Sequence, residues 1–171
     1  MKIHKNNKIE LVASTDATRH ILCNPYLDGT TLVATDGRRL VAIPVELGEN
    51  DCDGYISKQA LKDSRKIKKD IVDITANGSL KFTTKDGEVT LQRPEKENYP
   101  NWKRVIPDFE GKPVVKACFN AKFLYEMAQA LGSTNDSVEI TFIDVTSPIM
   151  VKANMSATPN AYGVLMPVRV S

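Results

Sequence analysis

Apolar and polar positions alternate along most of this chain in short runs separated by turn dipeptides, a two-residue period that predicts antiparallel strands. The clearest run is Thr31 to Val45, TLVATDGRRLVAIPV, in which two apolar halves flank Asp36-Gly37 and a pair of arginines. Asp-Gly readily adopts the positive φ angles of a tight turn with the twist that strands need, so the run predicts a β-hairpin. Lys8 to Val12 and Arg19 to Tyr26 predict two earlier strands, and Asp28-Gly29 turns the chain into the hairpin. The segment between those two strands, Ala13 to Thr18, is too short for a helix of ordinary length. After a polar, acidic loop from Glu46 to Asp53, Ser57 supplies the helix start for a short helix to Lys69, with Ala60, Leu61 and Ile67 as its apolar positions. Ile71 to Ala76, Leu80 to Lys85 and Glu88 to Arg93 then alternate as strands joined by Asn77-Gly78 and Asp86-Gly87, a three-stranded meander.

A proline-bearing aromatic connector, Glu95 to Pro113, divides this part from a final third that repeats the pattern. Val114 to Cys118 predicts a strand, and Asn120 to Leu131 a helix capped by Asn120 and ended by Gly132. Strands follow at Val138 to Ile143, Ile149 to Met155 and Ala161 to Val170. Phe123, Leu124, Met127 and Leu131 fall at spacings of three and four and form an apolar stripe, which core packing explains. The first strand after each helix carries a shared phrase, VDIT from Val72 and VEIT from Val138, which reads as an internal repeat. The expected class is α+β, with helix-plus-meander units side by side.

At 171 residues, 42% hydrophobic and 26% charged, the chain can bury one or two small cores. No apolar run approaches the roughly 20 residues of a membrane span, and the start MKIHKNNKIELV lacks the apolar block of a signal peptide, so a cytoplasmic protein without a membrane partner is expected. Cys23, Cys52 and Cys118 are odd in number and widely spaced, which argues against a disulfide framework or a zinc site. His4 and His20 have no acidic or serine partner at a recognisable spacing, and no phosphate-cradling glycine loop or nucleophile elbow occurs. Asp51 and Asp53, with Glu46 and Glu49, read as a solvated acidic turn rather than a metal site. No enzyme, no catalytic residue, no metal and no cofactor are expected.

The net charge of +2 demands no nucleic-acid partner, so only the placement of charge bears on one. Lys58, Lys62, Arg65, Lys66, Lys68 and Lys69 lie within twelve residues with Asp63 opposing them. That cluster reads either as a solvated helix face or as a surface that tracks phosphates.

Four stretches carry a resemblance: ATDGRRL at Ala34 to Leu40, YPNWKRVIP at Tyr99 to Pro107, FNAKFLYEMAQAL at Phe119 to Leu131, and YGVLMPVRV at Tyr162 to Val170. Together, and in this order, they resemble the bacterial sliding clamp, the β subunit of DNA polymerase III. The resemblance implies a truncated DNA clamp fold: 1–107 looks like the clamp's middle domain without its first helix, and 108–171 like half of its last domain. A clamp subunit has three domains of two helix-plus-meander units each, and two subunits close a ring around duplex DNA. About half of that is present, and the segments that resemble nothing in this chain include one side of the subunit interface, so the two-subunit ring is not carried over.

What the resemblance does carry over is a peptide pocket between the two parts, where polymerases and other partners insert a short motif rich in Gln, Leu and Phe. Its first wall would comprise Leu22, Thr35, Gly37, Arg38, Arg39 and Leu40, with Pro100, Arg104 and Val105 from the connector. The second would comprise Asn120, Phe123, Val145, Val164, Met166, Pro167 and Val168. Arg38 stands where clamps often have another residue, and Phe123 where an aromatic with a hydroxyl is common. In the family the unit helices face the DNA backbone, which assigns Lys58, Lys62, Arg65, Lys66, Lys68 and Lys69 to DNA contact. The implied partners are a DNA polymerase or other proteins with the clamp-binding motif, and duplex DNA. A processivity factor is the leading reading; the alternatives are a non-ring peptide-binding module acting as decoy or regulator, and a small enzyme built on the loop near Asp51.

Overall fold

The computed structural model describes residues 1–94, 98–111, 116–133, 137–153 and 160–168, and the chain divides into two units, Met1–Arg104 and Val105–Ser171. The first unit opens with β1 (Lys2–His4), β2 (Tyr26–Asp28), β3 (Thr31–Thr35), β4 (Leu40–Pro44) and β5 (Gly54–Tyr55), of which β3 and β4 are the expected hairpin, while β1 and β5 were not expected. Helix α1 (Lys58–Ser64) and strands β6 (Ile71–Ala76), β7 (Ser79–Thr84) and β8 (Gly87–Gln92) follow. The strands form two antiparallel sheets, ordered β4-β3-β2-β5 and β1-β6-β7-β8. Every second residue of β6 and β7 points inward, so Val72, Ile74, Ala76, Leu80 and Phe82 are buried in register, Ile74 opposite Phe82 and Ala76 opposite Leu80. Ala60 and Leu61 of α1 close the same core, which Leu27, Leu32 and Ala34 also enter from the hairpin sheet.

Arg93 joins the two sheets of this unit. Its Nε donates to the Tyr55 carbonyl of β5 at 2.9 Å, and its Nη1 to the carbonyls of Ala76, the last residue of β6, and Asn77 at 3.1 and 3.2 Å. Gly54, at φ +140°, permits the approach, since a Cβ there would meet the guanidinium carbon at 3.1 Å. Hydrogen bonds to a charged group are worth about 1.5–3 kcal/mol each, so this clasp is a substantial tie between sheets that β-pairing leaves separate.

Two of the expected strands are instead 3-10 helices, Ile9–Leu11 and Ala17–Leu22, and only Tyr26 of the second lies in a strand. The reason in the first case is the direction of Glu10. A strand would turn it away from Ile9, whereas the tight turn buries both, and Glu10 meets Arg65 in a two-point ion pair, Nη1 to Oε2 at 2.9 Å and Nη2 to Oε1. In the second case Asp16 caps the segment, accepting from the Thr18 amide at 2.9 Å and the Thr18 hydroxyl at 2.7 Å. The strand β1 escapes a periodicity argument because it is three residues long, yet it pairs with all of His4, Ile3 and Lys2 against Ile71, Val72 and Asp73. Helix α1 begins at its Ser57 cap as expected and ends at Ser64 rather than Lys69. There the Ser64 hydroxyl takes the Leu61 carbonyl, and the Lys66 amide bonds to Asp63 in a tight turn, so the ladder stops.

In the second unit α2 (Ala121–Ala130), capped by Asn120, packs on a sheet ordered β11-β10-β9, from β9 (Val138–Thr141), β10 (Ile149–Ala153) and β11 (Gly163–Leu165). Ile149, Val151 and Leu165 are sealed beneath Leu124, Met127 and Leu131. Phe123 departs from the expected stripe and is 52% exposed. Of the strand expected at Val114 to Cys118, 114–115 lie outside the described residues and Lys116 to Cys118 are not in a strand; a backbone bond of 2.7 Å from Val168 to the Cys118 carbonyl links that segment to the chain's end. The last two strands are shorter than expected, and their far ends, 154–155 and 169–170, also lie outside the described residues.

The Glu10–Arg65 pair is buried, with Glu10 4% exposed, so removing one partner strands a charge. Glu10→Ala is expected to lower unfolding free energy by about 3–5 kcal/mol. Urea denaturation showing less than about 1 kcal/mol of loss would mean the pair does not anchor the first 3-10 helix to α1.

Candidate functional site

The hairpin turn of the first unit is held by one carboxylate. Asp36 Oδ1 accepts from the amides of Arg38 and Arg39 at 2.9 and 3.0 Å, and Oδ2 from Arg39 Nε at 3.0 Å. The two backbone amides, then the guanidinium, hold the Asp36 carboxyl down to about 2. Thr35 closes the turn from within, its hydroxyl donating to the Arg39 carbonyl and accepting from the Gly37 amide. Gly37 has φ +85°, and a Cβ there would lie 2.9 Å from Arg19 Nη1, which donates to the Asp36 carbonyl. The result is a polar cleft of about 250 Å³ lined by Leu11, Arg19, Asp36, Arg38 and Arg39, among others. Arg39 is spent on Asp36 and the Leu11 carbonyl, while Arg38 is exposed and has no ion-pair partner among the described residues.

Of the expected first wall, Arg38 and Arg39 line this cleft; Thr35 and Gly37 shape the turn behind it. Leu22 is buried at the end of its 3-10 helix, and Leu40 is half-buried at the start of β4. Pro100 belongs to a separate cleft with Tyr26, Asp28, Tyr99 and Trp102. There Tyr26 stacks on Tyr99 with ring centroids 4.9 Å apart, and the Trp102 indole donates to Asp28 at 2.9 Å. Burial pushes the Tyr99 phenol up to about 12, while Lys103 and then Trp102, both donating to Asp28, lower its carboxyl. Arg104 and Val105 are exposed, Val105 at 66%.

In the second unit Val145, Met166, Pro167 and Val168 line one cleft of about 550 Å³, together with Lys116, Ala117, Cys118 and Thr146. Alternation explains the exposure: Leu165 points into the core, so Met166 beyond it points out, 60% exposed. The opposite side of the cleft is shaped by Asp144. Its Oδ1 accepts from the Thr146 amide, the Thr146 hydroxyl and the Ser147 amide at 2.7, 2.9 and 2.7 Å, and its Oδ2 from the Ser147 hydroxyl at 2.6 Å. The Ser147 and Thr146 donors hold the Asp144 carboxyl well below the usual carboxylate range and fix the loop that presents Val145. Asn120 is occupied in capping α2; Phe123 and Val164 are exposed and are not among the residues lining the cleft. Lys116, Ala117, Cys118 and Thr146 escaped the sequence reading; the run DVTS, whose Asp can close a turn on the residues after it, was the signal available for the loop.

The basic segment of the first unit is not uniform. Lys58 Nζ donates to the carbonyls of Ala13 and Ser14 at 3.1 and 2.6 Å, and Arg65 is bound to Glu10. Lys62, Lys66, Lys68 and Lys69 remain exposed, Lys66 against Asp63. The acidic loop is structural. Asp51 accepts from the Ala76 amide at 2.6 Å, the Gly48 amide at 2.7 Å and the Met1 amino group, and Asp53 accepts from the Gly29 amide at 2.7 Å. Burial works to raise the Asp51 carboxyl, but these donors more than offset it and leave it lowered. The Asp51 side chain is thus 1% exposed, a departure from the expected solvated turn, while Glu46, Glu49 and Asp53 are exposed. No described residues form a group of three or more metal-ligating side chains, and no helix among them is long and apolar enough to cross a membrane.

The sequence matches no family model and no curated protein. Solved structures do match along the whole chain. The β chain of DNA polymerase III from Streptococcus pneumoniae aligns with 100% of this chain and 50% of its own, at 20% identity and a TM-score of 0.67. The β subunit from Streptococcus pyogenes aligns with 99% and 50%, at 17% identity and 0.66. The Helicobacter pylori β clamp bound to a DNA ligase peptide aligns with 94% and 46%, at 14% identity and 0.63. The chain spans about half the length of these proteins, and at such identities the likeness is one of fold. The two helix-bearing antiparallel units therefore have the fold of the DNA polymerase III β subunit, the sliding clamp, over about half of its length.

Proposed function

We propose that this chain is a clamp-like, non-catalytic replication protein that holds a short linear peptide of a polymerase or another partner in the cleft of its second unit. The observation that carries this reading is the convergence of Val145, Met166, Pro167 and Val168 on one open cleft. Four apolar side chains left in water around a concavity are costly unless something covers them, and a peptide's Leu and Phe side chains are the chemistry that fits. Methionine adapts its unbranched side chain to differing ligand shapes, which suits a site that serves several partners. The Helicobacter pylori clamp bound to a DNA ligase peptide is a protein of this fold that holds a peptide.

A peptide ending in Leu-Phe is expected to bind with a dissociation constant on the order of micromolar, about −8 kcal/mol. Met166 is largely exposed, so Met166→Ala should leave the fold intact and weaken binding about tenfold. Fluorescence anisotropy decides: no binding at high protein concentration, or equal binding by the variant, removes the cleft from the function.

A second contact, with duplex DNA, is favoured by the four exposed lysines Lys62, Lys66, Lys68 and Lys69. Such a surface binds phosphates without sequence preference and loses affinity steeply with salt, about one logarithmic unit of slope per phosphate neutralised. The double variant Lys62→Glu, Lys66→Glu should lower both affinity and slope in a filter-binding titration. Unchanged binding, or binding indifferent to salt, would leave a protein-binding module that acts as decoy or regulator. Retention on nicked circular DNA that is lost on linearisation separates an encircling assembly from an open one.

A further inference from the structure

The first unit has a second, smaller apolar layer on the outside of its hairpin sheet. Alternation on β3 sends Leu32 and Ala34 into the core shared with α1, so Val33 between them faces the other side, yet it too is 0% exposed. Its cross-strand neighbour on that face is Tyr26, and the neighbour of Tyr26 is Tyr55, so the three form a row across the sheet. Residues 99–104 of the connector lie over this row. Tyr99 stacks on Tyr26 and meets Tyr55 edge-on at a centroid distance of 5.9 Å. Two residues on from Tyr26, on the same face, Asp28 Oδ2 accepts from the Trp102 indole and from Lys103 Nζ, both at 2.9 Å. Among the described residues no backbone hydrogen bond joins this segment to the sheet; its one backbone bond, from the Arg104 amide to the Asn101 carbonyl, closes its own 3-10 turn, Trp102–Val105. A cleft of about 340 Å³ runs along the seam, lined by Tyr26, Asp28, Tyr99, Trp102 and Lys103, among others.

A segment attached through side chains, with solvent along its seam, can open while the strands beneath it stay paired. We propose that residues 99–104 are a strap with a docked and an undocked state, and that Asp28 is its latch. Asp28 gathers the strap's indole and its ammonium on one carboxylate oxygen, so a single side chain holds both, while ring stacking on Tyr26 fixes where the strap lies. Docked, the strap belongs to the first unit, which extends to Arg104. Undocked, it adds residues 99–104 to the link that leads to the second unit, about 20 Å of extended chain, and it uncovers the row of Tyr26, Tyr55 and Val33. Asp28 therefore sets the length of that link, whether or not the second unit holds a peptide.

Trp102 is the only tryptophan of the chain, and Lys103 and Arg104 are tryptic sites, so the strap carries its own reporters. The test compares the full chain with Asp28→Ala, Asp28→Asn and Trp102→Phe. Loss of the charged acceptor in Asp28→Ala should raise the rate of tryptic cleavage after Arg104 about tenfold and shift Trp102 emission to the red. The urea midpoint read by far-ultraviolet circular dichroism should stay at the parent value, because the core beneath α1 is untouched. Trp102→Phe keeps a ring without a donor and should also be cleaved faster. Asp28→Asn keeps an acceptor for the indole and should restore much of the protection. Parent-like cleavage and emission in Asp28→Ala would overturn the proposal. So would faster cleavage accompanied by a fall in the urea midpoint large enough to account for it, since the strap would then open only with the whole unit.

Discussion

An antiparallel sheet covered by one helix can bury only one of its faces, and that constraint governs the second unit. Strand β10 must alternate, so Ile149 and Val151 lie under α2 while Met150 between them is left 41% exposed. On β11 the same rule sends Leu165 inward and leaves Val164 and Met166 outside. With a helix of ten residues as its cover, the buried core cluster among the described residues is small, Ile149, Val151 and Leu165, and further apolar residues collect at the rim. The cleft is a consequence of that arithmetic: β11 ends at Leu165, two residues before Pro167, which cannot donate to a ladder, and the Val168 amide bonds to the Cys118 carbonyl, which brings the end of the strand against Lys116 to Cys118. On the other wall, Asp144 fixes Val145 by satisfying the polar groups of the loop from within.

The first unit meets the same constraint differently. Its two sheets share one core, so Leu27, Leu32 and Ala34 from one are covered by Val72, Ile74 and Leu80 from the other along with α1. Charged groups then do what apolar burial cannot: Arg93 ties carbonyls of both sheets, and Glu10 with Arg65 ties the first 3-10 helix to α1. Cations that a charge count would assign to solvent or to a phosphate backbone are thereby committed inside the fold. The exposed positive surface is smaller than the sequence cluster, four lysines, of which Lys66 is paired with Asp63, rather than six basic residues.

These commitments mark the limits of what the sequence made legible. Turn dipeptides and alternation were enough for the hairpin of Thr31–Thr35 and Leu40–Pro44 and for the meander Ile71–Ala76, Ser79–Thr84 and Gly87–Gln92, because those signals are local. The caps at Ser57 and Asn120 were legible for the same reason. The strands expected at Lys8 to Val12 and Arg19 to Tyr26 failed because the deciding partner of Glu10 lies 55 residues away, and because the Asp16 cap wins over a weak alternation. Similarly, nothing near Lys58 shows that its ammonium is bound to the Ala13 and Ser14 carbonyls. At the cleft, Met166 and Val168 were readable from the tail motif, whereas Lys116, Cys118 and Thr146 arrive through loops whose placement no period encodes.

The claim on which the functional account turns is that the open cleft of the second unit is where a peptide binds. Amide chemical-shift mapping of the isotopically labelled chain, titrated with a Leu-Phe peptide, tests it directly because it reports contact residue by residue. The account predicts the largest changes at Ala117, Cys118, Val145, Thr146, Met166 and Val168, with little change in the core strands β6 and β7. Changes confined to other surfaces, or none at saturating peptide, would contradict it.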